Sequence, residues 1–223
     1  DGVSTVYSLT YSDEALGFVG GVFAGLLATD NRMSGDLENP TVGLLAGTPY
    51  PQMDNLIHPG YAAGAHYVDP NINVLYAAVG DWNDPNRARD LALNMFGRGT
   101  TAIMSITGGG DPGVHRAASE TARFAVAVNT DQNANMPGVI LGSVLKRLDN
   151  SIFSVVEAAM AGTLPYGTNE TAGVAEGAIS ISDSDLYRQL VPESIRNALD
   201  DVTAKIASGE IDLLALLAAE LAD

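Results

Sequence analysis

Short apolar runs, several of them unbroken and rich in Val and Ile, recur along this chain between stretches of helical periodicity, and that alternation narrows the fold more than any other feature. The runs cover 4–10, 42–46, 74–79, 102–106, 124–128, 139–141 and 178–181. A strand with one wet face alternates apolar and polar residues, whereas one that is apolar throughout is covered on both faces. Helical layers on either side of a parallel sheet provide that cover.

The helices between the runs carry start and stop chemistry. Asp84 is placed to cap a helix begun by Pro85, with Ala88, Leu91, Ala92, Met95 and Phe96 on one face and Gly97 and Gly99 beyond its end. The same grammar returns with Asp111 as cap, Pro112 in the first turn, and Val114, Ala117, Ala118 and Thr121 facing inward. Two strand-turn-helix-strand units in tandem predict a doubly wound α/β sheet. The uncharged run 15–29 is short for a membrane span and reads as a buried helix. The polar segment 31–40 reads as a surface insertion. A helix is expected over 192–208, capped close to Pro192 and ended by Gly209, followed by an amphipathic tail whose leucines serve the core or a partner.

Charge excludes some functions. Against 11 basic side chains stand 27 acidic ones, a net charge of −16, and such a surface repels nucleic acid and anionic lipid. Asp outnumbers Glu two to one, and Lys146 and Lys205 are the only lysines. This skew is expected of a protein kept soluble at high salt, the alternative being an ordinary acidic secreted protein. With no cysteine there is neither a disulfide framework nor a thiolate site. The chain opens on Asp1-Gly2 without a cleavable leader. His58, His66 and His115 lack metal-ligand spacing, so no metal or cofactor is implied.

Four residues at strand ends suggest a ligand site. Trp82, the lone tryptophan, follows the run 74–79 within Asp81-Trp82-Asn83 and offers a flat face, or else packs against the core. Gly108 opens Gly108-Gly109-Gly110-Asp111-Pro112-Gly113, which lacks the Lys and hydroxyl residue of a phosphate loop. It reads as a close backbone approach to an uncharged ligand, or as a turn without one. Asp131 can accept two hydrogen bonds from a vicinal diol, or shape an Asx turn. Lys146, rare in this chain, is expected to pair with Asp131 and offer its other donors to a ligand oxygen, the alternative being a surface lysine. In an open α/β sheet ligands sit at the carboxyl ends of strands. No nucleophile triad or paired carboxylates can be placed.

Taken together, VYSLTYSDEALGFVGGVFAGLLA, PGYAAGAHYVDPNINVLYAAVGDWNDPNRARDLALNMFGRGTTAIMSITGGG, AVNTDQ and SVLKR resemble the basic membrane protein family, type I periplasmic-type solute-binding proteins that include purine nucleoside receptors of ABC importers. The resemblance implies a bilobed, hinge-closing receptor that does no chemistry. It implies a purine nucleoside as ligand, an ABC permease as partner, and a lipid-anchored, extracytoplasmic location. By it Trp82 matches the aromatic under the base, and Gly108, Asp131 and Lys146 the positions that hold the ribose hydroxyls. The family's usual amino-terminal part, with its Asp-rich turn and Ser-Phe-Asn motif, has no counterpart here. The chain is therefore expected to be the second lobe plus part of the first, completed by a further segment or a separate chain. In that division 1–12 is the last strand of the first lobe and 13–130 a Rossmann-like second lobe. Residues 131–165 cross toward the first lobe, and 166–223 hold a closing strand and the carboxyl-terminal helices. The rivals are an α/β hydrolase acting on nucleosides or sugars, built on Asp81, Asp84 and Asp131, and a ligand-sensing regulatory module.

Overall fold

The computed structural model describes residues 5–35 and 39–222. The chain runs β1 (Ser8–Tyr11), α1 (Asp13–Thr29), α2 (Asn31–Ser34), β2 (Thr41–Ala46), a π-helical turn (Met53–Ile57), α3 (His58–Val68), β3 (Asn73–Ala78) and α4 (Pro85–Gly97). It continues through β4 (Thr100–Ile106), α5 (Asp111–Glu120), β5 (Phe124–Asn129), β6 (Ile140–Lys146), α6 (Leu148–Ala161) and β7 (Asn169–Ala172). The last elements are β8 (Ile179–Ile181), α7 (Asp185–Leu190), α8 (Glu193–Ser208) and α9 (Leu213–Glu220).

Six strands form one sheet in the order β3-β2-β4-β5-β6-β8, parallel except for β8, which runs against β6. β2 and β4 are buried at every position because both faces of this sheet are covered. Leu44, Met104 and Val126 point into a core shared with α1, α3 and α8, while Leu45, Ile103 and Ala125 meet Ala88, Ala92, Val114 and Ala117 from α4 and α5 on the other side. The run 15–29 is a helix buried along almost its whole length, in α1. Glycines on both helices bring α1 and the segment of α3 to backbone contact: a Cβ on Gly17 of α1 would stand 2.2 Å from the oxygen of Ile57, just before α3, and one on Gly64 of α3 2.2 Å from the Phe18 oxygen.

A second, two-stranded sheet pairs β1 with β7 in parallel, Ser8 opposite Asn169 and Tyr11 opposite Ala172. Beyond it runs α6, which buries none of its residues and exposes Ile152, Phe153, Val156 and Met160. Three segments connect the two sheets: β1 into α1, β6 into α6, and β7 into β8. They are tied together by Ser12 N–H to the Ala172 carbonyl at 3.0 Å and Arg147 N–H to the Ala178 carbonyl at 2.8 Å.

Several expectations change on inspection of the fold. The strand expected over 139–141 extends to Lys146, because β5 and β8 pair along its polar end. It therefore places part of the segment 131–165 in the large sheet. β7, α3 and α6 are elements that periodicity did not predict: β7 is short and polar, α3 is rich in Gly and Ala, and α6 has apolar residues with no covered face. Asp111 is not a cap. It lies inside the first turn of α5 and its carboxylate reaches back to the β4 end, accepting from Thr107 N–H at 2.9 Å, from Thr107 Oγ1 at 2.7 Å and from Ser105 Oγ. Within 31–40 the described residues include the short helix α2, and 36–38 lie outside them. The expected helices at Asp84–Pro85 and Pro192–Gly209 are present as α4 and α8.

Candidate ligand-binding edge

Three successive strands end alike. Gly80 after β3, Gly108 after β4 and Asn129 closing β5 hold φ of 86°, 62° and 71°. Glycine takes that left-handed conformation without a Cβ penalty, and Asn is among the few side chains that tolerate it. The chain is thereby turned sharply off the carboxyl edge of the sheet. Between β2 and β4 the winding direction reverses, and such a switch point opens a crevice at that edge.

Trp82 sits in that crevice. A Cβ on Gly47, just past β2, would stand 2.3 Å from the ring's Cε3, and one on Gly108, just past β4, 3.5 Å from the same atom. The indole thus lies on the bare backbone of two turns and leans on Tyr50, with ring centroids 5.9 Å apart and planes 49° apart. The residue remains 37% exposed, so packing and ligand contact are both open to it.

Asp131 is exposed, and its Oδ1 accepts from the Asn133 N–H at 3.0 Å, an Asx turn. The turn rests on a buried polar network: Ser143 Oγ donates to Asn133 Oδ1 at 2.9 Å and accepts from Gln132 N–H at 3.0 Å, and Asn133 Nδ2 donates to Ser182 Oγ at 3.2 Å. One carboxylate oxygen therefore shapes the loop, while the other has no partner in that turn.

Lys146 does not pair with Asp131. Its Nζ donates to Asp13 Oδ1 at 2.5 Å, because the carboxyl end of β6 abuts the first turn of α1, whose cap is the Ser12 hydroxyl. A hollow of about 750 Å³ opens here, with Tyr11, Asn129, Asp131, Lys146 and Leu148 in its wall. A second, of about 670 Å³, is bounded by Gly108, Asp111, His115 and Gln132 and also reaches Asp131. Asp131 thus stands on the divide between them, Lys146 faces the first and Gly108 the second. Trp82 borders the second only through Gly108.

Sequence reading missed Tyr11, Asp13 and Tyr50. Ser12-Asp13-Glu14 reads as a helix start, which absorbs its carboxylates, and only folding sets Asp13 beside a lysine 133 residues away. Tyr50 is held above the ordinary tyrosine pKa by burial first and then by the Asp13 and Asp54 carboxylates. Among the described residues no cluster of His, Asp and Glu could hold a metal ion.

Residues 2–212 match the family described as ABC transporter substrate-binding protein PnrA-like. Basic membrane protein D of Borreliella burgdorferi is 25% identical over 177 residues, 78% of this chain and 49% of that protein. The transcriptional activator protein med of Bacillus subtilis is 26% identical over 191 residues, 83% of this chain and 56% of that protein. Among solved structures, an ABC transporter solute-binding protein from Aeropyrum pernix superposes with a TM-score of 0.78 at 20% identity, covering 95% of this chain and 67% of the other. The chain thus spans about half the length of the curated relatives it matches. Its mostly parallel α/β architecture is that of type I periplasmic-type solute-binding proteins, and with a match over nearly its whole length the chain belongs to the PnrA-like family of ABC transporter substrate-binding proteins.

Proposed function

We propose that this chain is the larger part of an extracytoplasmic receptor that binds a purine nucleoside and delivers it to an ABC permease without altering it. The observation that carries the reading is the hollow that Asp131 and Lys146 share at the carboxyl edge, with Asp131 also bordering the neighbouring hollow at Gly108, the glycine on which the Trp82 ring lies. A carboxylate and an ammonium on one wall suit a vicinal diol, which accepts and donates at adjacent oxygens. An indole suits a flat base. A neutral nucleoside fits a chain of net charge −16 better than a nucleotide does.

The hollow lies between the large sheet and the β1–β7 sheet, which in this reading belongs to a first lobe. Two strands alone make a marginal sheet, and α6 presents an apolar face without cover. A further segment of the same protein, or a separate chain, completes that lobe and supplies the opposite wall. Closure of the lobes shifts a hinge equilibrium by the ligand's differential affinity for the closed state, and only that state engages the permease. Among the described residues no helix is long and apolar enough to cross a membrane, and the full protein is held at the outer membrane face by a lipid anchor. A regulatory reading is favoured by one observation, that a relative is named as a transcriptional activator.

Calorimetry with adenosine, guanosine, inosine and cytidine tests the reading, on this chain and on a form that carries the amino-terminal segment present in its relatives. Binding heat is expected for the longer form only, with the nucleoside recovered intact. Release of free base would establish a hydrolase instead, and no heat with any nucleoside would overturn the ligand class.

A further inference from the structure

We propose that Asp13 is a positioning residue of the ligand site, holding the Lys146 ammonium at the wall of the 750 Å³ hollow so that Asp131 is left free for ligand. The ligand arm of this proposal rests on the nucleoside reading above; the ion-pair arm does not.

Asp13 stands where the chain leaves the small sheet and enters α1, and Lys146 where it leaves the large sheet toward α6. Both side chains are largely covered, 18% and 21% exposed, and meet at 2.5 Å. Their flanks are fastened by the Ser12–Ala172 and Arg147–Ala178 backbone bonds, so the pair joins two connecting segments already tied to the third. A lysine ammonium is a point charge on a flexible four-carbon stem with three donors. Asp13 takes one donor and fixes the stem, so the rotamer entropy is lost before a ligand arrives. The other donors belong to a side chain that shares its hollow with Tyr11 and Asp131.

Charge balance explains why such a holder is needed. In a chain with 27 acidic side chains a loose ammonium is drawn to any nearby carboxylate. Pairing with Asp131 would block the oxygen that the Asx turn leaves open. The Asp13 carboxylate also adds to the burial that raises the Tyr50 pKa, and Tyr50 leans on Trp82.

The two-lysine composition makes the test direct. Brief labelling with an amine-reactive reagent, read by mass spectrometry, compares Lys146 with Lys205, whose own partner Asp201 lies 2.7 Å away and serves as internal reference. Asp13→Asn is expected to raise the Lys146-to-Lys205 labelling ratio severalfold, and Asp13→Glu to restore part of the protection. An unchanged ratio in Asp13→Asn, with its unfolding midpoint retained, overturns the proposal; should that variant not fold, the ratio in Asp13→Ser, which also removes the carboxylate, decides it in the same way. In the longer form, Asp13→Asn should weaken inosine binding about tenfold, the size of one charge-assisted hydrogen bond. Undiminished affinity alongside raised labelling would overturn the positioning role. If no form binds any of the four nucleosides, the nucleoside reading fails and the labelling ratio alone judges the ion pair.

Discussion

The carbonyl oxygen of Tyr61 lies 2.0 Å from the point where a Cβ on Gly21 would stand. Helices α1 and α3 therefore meet backbone to backbone, and Gly21 is not exchangeable even for alanine. Gly21→Ala is expected to cost about 3 kcal/mol, the upper range for forcing a methyl into a filled core. Urea unfolding midpoints measure it; a change below about 0.5 kcal/mol would mean that the helices separate readily.

Trp82 is the only tryptophan, so its emission reports the switch-point crevice alone. In the longer form a nucleoside should change that emission, and Trp82→Ala should lose roughly 1 to 3 kcal/mol of affinity. A dissociation constant indifferent to the substitution would leave the indole a packing residue on Gly47 and Gly108.

Burial pushes the His115 imidazole below its ordinary value of 6.5, with the Asp111 charge opposing. The neutral ring is favoured in the fold, so the unfolded chain binds more protons between the two pKa values. Its contribution is fully present above about 6.5 and is lost as pH falls through the folded value. His58 is lowered for the same first reason. Replacing His115 by Gln should flatten, though not abolish, the fall in urea midpoint between about pH 7.5 and 5; an unaltered slope would place the pH dependence elsewhere.

The apolar face of α6 should bind an environment-sensitive hydrophobic dye. Joint replacement of Phe153 and Met160 by Glu is expected to remove most of that fluorescence while shifting stability by no more than about 0.5 kcal/mol, since neither side chain is buried. Dye binding that survives the substitutions would locate the open surface somewhere else.

With a net charge of −16 the fold carries self-repulsion that salt screens. The unfolding midpoint should rise from low to molar salt, and a flat midpoint would remove the high-salt reading of the acidic composition.

Local chemistry was enough to determine a parallel sheet between helical layers, the cap at Asp84, and the strand ends where Trp82, Gly108, Asp131 and Lys146 stand. Unbroken apolar runs, Pro after a capping Asp, and glycine at sharp turns are properties of a few neighbouring residues, so they can be read one segment at a time. Tertiary structure alone decided which partner each charge takes. Lys146 has Asp13 and not Asp131, and Asp111 serves Thr107 and not its own helix, because electrostatic partners are chosen by distance in space. The same holds for α6: only the fold shows that nothing among the described residues covers its apolar side chains.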